Sequence, residues 1–233
     1  MNKQTGNMYD FVTHTSNPIK GLCPHECSYC YMNSIYQRYK SNKALRLDDK
    51  EFSVSYGKGN FIFIGSSTDM FAKDIRTDWI KKVYDKCLQY EENSYLFQSK
   101  NPSRFLEPEL VEHPLMQVKD RVYFATTLET NREYSISKAE CMEDRVKSME
   151  KLTELGYSVM ITMEPIMDFD IDVVLDMLRR VRPFQVNIGC NTSSVQLQEP
   201  SRDKIIALIQ SLRTFTTVKL KSNSSRILGD SIV

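Results

Sequence analysis

The sequence predicts an α/β fold built as a partial, open TIM-like (β/α)6 barrel. Three observations carry this. Short apolar runs alternate with amphipathic helical stretches about six times, the pattern of a parallel sheet covered by helices. A closed eight-fold barrel typically takes about 250 residues and more units than are present. Finally, no linker or low-complexity segment divides the chain. One domain is therefore expected over residues 1–233, with its core at about 11–221.

In order, residues 1–10 read as a polar tail and Phe11–Pro18 as a first strand ended by its proline. A cysteine-bearing loop follows, then a short helix over Tyr31–Lys40 and a polar stretch, Ser41–Asn60. The GKGN at its end lacks the longer frame of a phosphate-binding loop. Phe61–Gly65 is a buried strand by length and composition. Thr77–Tyr90 places Ile80, Val83 and Cys87 on one helical face. Tyr95–Lys100 is a strand, Arg104–Val111 a weaker helix and Val122–Glu129 a strand. Ser137–Leu155 is the clearest helix, with Ser137 and Glu140 as a capping box and Gly156 as its stop. Ser158–Glu164, Ile171–Val181, Phe184–Gly189 and Arg202–Leu212 continue the alternation, with Thr217–Lys221 as a last strand before a polar tail.

Side chains alternate between the two faces of a strand. One parity here is polar near the carboxyl ends: Gln98 and Lys100; Thr127 and Glu129; Ser158, Thr162 and Glu164; Gln185 and Asn187. The opposite parity is apolar and fits beneath helices. Buried polar groups need partners, so the polar set predicts either mutual pairing across the barrel or a polar ligand inside it. The stretch Gly65–Asp69 adds Ser66, Ser67, Thr68 and Asp69 at a strand's end, suited to accept bonds from an ammonium group or to cap a turn.

With 31 basic and 30 acidic side chains, net charge is +1, so no global attraction to nucleic acid is expected. No run approaches the ~18 apolar residues of a membrane span. The first residues lack the apolar segment of a secretion signal. The expectation is a cytoplasmic chain whose thiols stay reduced. Lys219 and Lys221, like Arg179, Arg180 and Arg182, read as solvated faces.

The chemistry-bearing stretch is Gly21–Met32, GLCPHECSYCYM. Cys23, Cys27 and Cys30 form a CxxxCxxC set with no fourth cysteine nearby. Thiolates are soft ligands suited to iron–sulfur clusters and zinc. A structural zinc site is normally closed by four protein ligands. His25 is the available fourth ligand, but the two-residue steps around it make such a site cramped. Three thiolates leave one metal corner open to a small molecule. Cys87, Cys141 and Cys190 are isolated; Cys190, at a strand's end, reads as a buried inert thiol rather than a hydrogen-atom donor.

This spacing, with aromatic Tyr29 before the third cysteine, resembles the signature of the radical S-adenosylmethionine (SAM) superfamily. The stretches SSTDMF, QSKNP, TTLETNR, EPIMDFD and PFQVNIG resemble more closely a three-cysteine-motif family of phages and other mobile elements, largely of unknown function. The resemblance implies a 4Fe-4S cluster on Cys23, Cys27 and Cys30, with SAM chelated to the fourth iron. It implies a partial barrel, an external electron donor such as flavodoxin or ferredoxin, and reductive cleavage of SAM to a 5′-deoxyadenosyl radical that abstracts hydrogen. By the same resemblance Tyr29 lies along the adenine, and Ser66, Ser67, Thr68 or Asp69 holds the SAM amino group in place of the family's Gly-Gly-Glu. Lys100, Thr127, Glu129, Asn131, Glu164 and Asn187 stand where further SAM contacts are expected, Glu129 at the ribose. The family's Gly-x-Ile-x-Gly near Glu164 is absent. Asp168 and Asp170 read as caps of the next helix.

The substrate is open: nucleic acid, peptide or small molecule. The rival from another class is a non-catalytic interaction protein whose iron–sulfur or zinc site staples the loop. An electron-transfer protein would need a fourth cluster ligand, and none is evident near the motif.

Overall fold

The computed structural model describes residues 1–4, 8–40 and 42–229. Residues 5–7, within the expected first polar tail, residue 41, and residues 230–233, within the expected last one, lie outside the described residues. The chain runs β1 (Asn2–Lys3), β2 (His14–Ser16), β3 (Ile19–Lys20), α1 (Tyr31–Tyr39), β4 (Arg46–Leu47), α2 (Asp49–Ser53), β5 (Phe61–Ile64), α3 (Thr77–Leu88) and β6 (Ser94–Gln98). Two 3-10 turns, Pro102–Leu106 and Pro114–Gln117, flank α4 (Pro108–Val111). Then come β7 (Val122–Thr127), α5 (Met142–Glu154), β8 (Ser158–Met163), α6 (Ile171–Val181), β9 (Gln185–Ile188), α7 (Arg202–Leu212), β10 (Thr217–Leu220) and α8 (Ser225–Leu228).

The main sheet has the order β1-β2-β5-β6-β7-β8-β9-β10. Every neighbouring pair from β2 to β10 is parallel, and β1 caps the edge antiparallel to β2. The described sheet is thus a mostly parallel open barrel, and β10 extends it one strand beyond six. Helix-facing residues such as Ile62, Phe97, Phe124, Ile161 and Val186 are fully buried against Ile80, Val83, Cys87, Met149 and Leu178. The inner face divides by depth. Phe63, Leu96, Ala125 and Met160 form an apolar floor with Tyr9 and Val12. The polar residues of the same parity stand above it, at the carboxyl ends, where a ligand site belongs in such a sheet.

Several expectations are corrected. The described part of residues 1–10 is no tail: Asn2–Lys3 pairs with His14 and Thr15. Tyr9 lies across the barrel, 6% exposed, with its hydroxyl donating to Gln98 Oε1 at 2.6 Å. The helix expected from Ser137 begins at Met142, with Cys141 as an N-cap whose side chain bonds to Asp144 and caps no backbone N–H. Glu140 accepts instead from the Ser103 hydroxyl. Residues before Met142 are held elsewhere by the cysteine loop: Ser28 N–H donates to Ile136 O at 2.9 Å and Lys138 N–H to His25 O at 2.7 Å. Two loop-to-loop bonds of this kind pull the chain out of the helical path that its propensity favours.

Gly21 opens the cysteine loop at φ +127°, a region that side chains avoid. A Cβ there would stand 2.6 Å from Ala44 O and 2.7 Å from Leu45 Cα, both backbone atoms without room to move. Gly21→Ala is expected to destabilise the protein by about 2–3 kcal/mol, checked by urea unfolding; a change below about 0.5 kcal/mol would show that the β3–β4 ribbon gives way freely.

Candidate active site

A cavity of about 410 Å³ opens at the carboxyl ends of the strands, within the range of small-molecule sites. Cys23, Cys27 and Cys30 line one wall; Ser66, Ser67 and Asp69 follow β5, and Lys100 follows β6. Thr127, Glu164, Cys190 and Lys221 continue the lining around the sheet, and Tyr9 joins it from the floor.

The cysteine loop is fixed by Asp69. Its Oδ2 lies 2.7 Å from His25 Nε2 and accepts from the Ser99 hydroxyl at 2.9 Å and Lys100 N–H at 2.8 Å. Its Oδ1 accepts from Phe71 N–H. Burial pushes this carboxyl up, but the His25 bond and charge and the backbone donors outweigh it and hold it below the usual range. Thr68 donates to Gly21 O at 2.8 Å. His25 is therefore turned to a carboxylate, not held free as a zinc ligand.

Behind the loop lies a charged hub. Glu129 is fully buried. Its Oε1 accepts from Lys100 Nζ at 2.8 Å and from the Tyr29 hydroxyl; its Oε2 accepts from Arg145 Nη1 at 2.9 Å. Burial raises the Glu129 pKa, but the Lys100 and Arg145 charges and the Lys100 and Tyr29 bonds bring it down to about 2. Lys100 Nζ also donates to Tyr29 and sits 3.5 Å from Cys27 Sγ. Arg145 is anchored by Thr127 O and Glu140 O. Burial, with Asp69 close by, pushes the Cys23 thiol up to about 12, and burial likewise raises Cys27 against the pull of Lys100. Thiols so placed ionise when a metal cation replaces the proton.

The structure brings Tyr29, Ser66, Ser67, Asp69, Lys100, Thr127 and Glu164 to the cavity together with the three cysteines. It places four expected residues elsewhere. Thr68 ties down the loop, and Glu129 sits behind Lys100 and Tyr29. Asn131 lies away from the cavity, its side chain bonded to Asp170 at 3.0 Å and to the Asp170 N–H. Asn187 lies below, accepting from Gln185, with its buried Nδ2 lacking a partner among the described residues. Asp168 and Asp170 make no side-chain cap: Asp168 pairs with Arg132 and Lys204, Asp170 with Arg132 and Asn131.

Besides Tyr9, the sequence reading missed Lys221 and Arg145. Lys221 is 6% exposed and no solvated side chain: it lies 4.3 Å from the centre of the Tyr9 ring and 3.8 Å from Glu164 Oε2. The period-two parity of β10, continued past Lys219, was the available signal. Arg145, on a helix face otherwise apolar, carried none. Cys190 is buried, as expected, yet lines the cavity.

These residues fit a cluster with SAM. Three thiols share one wall. Hydroxyls, an ammonium group and a carboxylate surround the adjoining space.

No protein-family model and no curated protein matches the chain; the nearer likeness to the phage family therefore rests on its sequence stretches alone. Solved structures do match. Spore photoproduct lyase with bound AdoMet and dinucleoside spore photoproduct aligns at TM-score 0.66 and 11% identity, over 93% of this chain and 78% of that one. Streptococcus suis SuiB bound to S-adenosylmethionine aligns at TM-score 0.57 and 9% identity, over 90% of this chain and 47% of that one. SuiB bound to its precursor peptide SuiA aligns at TM-score 0.56 and 8% identity, over 91% and 49%. The chain thus shares the partial-barrel fold of these structures.

Proposed function

We propose that the protein is a radical SAM enzyme. The observation that carries this reading is the placement of three thiols together on the wall of a cavity at the carboxyl ends of parallel strands. Cys23, Cys27 and Cys30 would hold a 4Fe-4S cluster. When bound, cluster and SAM supply reductive cleavage of SAM and a carbon radical that abstracts hydrogen.

The chain's own residues bind and orient. Lys100, beside Cys27, opposes a carboxylate at the open corner. Ser66 and Ser67 offer acceptors to an ammonium group, since the oxygens of Asp69 already serve the loop. Thr127 and Glu164 face the space for a ribose, and Tyr29 borders it. The apolar floor below keeps bulk water from the reacting centre. An electron donor such as flavodoxin or ferredoxin would serve it. The neighbours' nucleic-acid-derived and peptide ligands leave both substrate classes in play.

Anaerobic reconstitution followed by reduction with dithionite tests the reading. Wild type is expected to bind iron and sulfide and form 5′-deoxyadenosine; Cys23→Ala, Cys27→Ala and Cys30→Ala are expected to form none. Tightly bound zinc without capacity for a cluster, or a loaded cluster inert to SAM, would instead support a metal-stapled interaction protein.

A further inference from the structure

Helix α1 leaves the cysteine loop directly after Cys30. Tyr31, Ile35, Arg38 and Tyr39 fall on one face by their spacing. Tyr31 is 58% and Tyr39 68% exposed, the highest values among the exposed large hydrophobic side chains described. A helical rise places them about 12 Å apart along the axis. Tyr31 also lines the cavity, with its hydroxyl donating to Ser66 O at 3.1 Å.

The same region concentrates positive charge in a chain that is otherwise balanced. Between Cys27 and Leu47 stand Arg38, Lys40, Lys43 and Arg46, and no Asp or Glu. The segment after α1 returns to the loop, where Leu22 N–H donates to Lys43 O at 2.9 Å and Arg46 pairs with Lys20 across β3–β4. The flanking acids are already engaged: Glu26 pairs with Lys138 and Asp48 with Lys20. Among the described residues none of the four cations makes an ion pair, and Arg46 donates to the carbonyls of Asn42 and Ala44.

We infer that α1 and the segment after it form a docking strip for single-stranded nucleic acid, running from solvent to the mouth of the cavity. Phosphates lie against Arg38, Lys40, Lys43 and Arg46, and bases stack on Tyr39 and Tyr31. Exposed aromatic faces interleaved with cations are the means by which single strands are held without sequence preference. An acidic folded protein would use the cations but gives no reason for two bare tyrosine rings, one of them at the cavity rim. That the strip delivers a substrate nucleotide rests on the proposed radical chemistry; the docking itself does not.

Fluorescence anisotropy with a labelled single-stranded DNA of about a dozen nucleotides tests this. Binding is expected to weaken about 50-fold between about 50 and 200 mM salt, the response of four phosphate contacts on a single strand. Arg38→Ala/Lys40→Ala/Lys43→Ala is expected to lose at least about 10-fold at the lower salt and most of the salt slope. Tyr39→Ala is expected to lose about 5-fold with the slope unchanged. Thermal melts establish that both variants fold. Four outcomes overturn the inference: no binding at low salt, equal affinity in the folded variants, equal competition by polyglutamate, or loss in the triple variant of flavodoxin binding alone. Formation of 5′-deoxyadenosine with dithionite separates the two readings. An oligonucleotide-binding protein inert to SAM keeps the strip and loses the radical enzyme; an active protein without DNA affinity does the reverse.

Discussion

Glu129→Gln is expected to lower the stability of the protein by about 3–5 kcal/mol, the cost of leaving buried charge uncompensated. The Glu129 side chain is 0% exposed, Arg145 2% and Lys100 15%. Neither cation has water enough to replace the carboxylate. An amide of the same shape keeps the packing and removes the charge, so the loss reports electrostatics and not a cavity. The effect has a counterpart in pH. Glu129 titrates at about 2 when folded against 4.5 unperturbed. Its folded pKa is depressed, so its stabilisation is fully present above about pH 4.5 and is lost as pH falls through about 2. The shift corresponds to about 3 kcal/mol. Urea unfolding of wild type and variant from neutral to acid pH checks both statements. The two curves should converge at low pH; a neutral-pH difference below about 1 kcal/mol would mean that the hub is solvated and the assignment wrong.

Asp69→Ala is expected to leave the barrel folded and cut cluster loading several-fold. The carboxylate receives the His25 side chain, the Ser99 hydroxyl and the backbone N–H groups of Lys100 and Phe71. Removing it leaves these donors unmet at a cost of about 2–4 kcal/mol and frees the loop that carries the cysteines. Asp69→Asn retains one acceptor oxygen and should fall between. Iron and sulfide per chain after reconstitution, together with amide exchange over residues 21–32, measure it. Full loading of Asp69→Ala with a protected loop would show that Gly21 and the brace from 136–138 suffice without it.

Much of this architecture was legible because it rests on local patterns. The run Phe61–Ile64 and the face Ile80, Val83, Cys87 are set by periodicity, and both appear as read. The polar parity at the strand ends likewise foretold Lys100, Thr127 and Glu164 around one cavity. The illegible parts depend on partners far along the chain. Nothing near Ser137 shows that Lys138 will bond to His25, so a good capping sequence stays outside the helix. Nothing near Tyr9 shows that it will cross the barrel to Gln98. Glu129 reads equally well as a ligand contact or a buried hub; only Arg145, sixteen residues on, distinguishes them. Lys221 is charged and near the end of the described chain, and its burial comes from its packing over the Tyr9 ring and beside Glu164, both remote in sequence.

The brace across the cysteine loop sets an order of events during synthesis. Cys23–Cys30 leave the ribosome about a hundred residues before Glu129, Ile136 and Lys138, the residues that hold Tyr29, Ser28 and His25 in place. At translation rates of about 5–20 residues per second, that interval is about 5–20 s. Through it the loop lacks the residues that hold its final shape. A metal that needs the finished loop can enter only after β7 and the connection that follows it are complete.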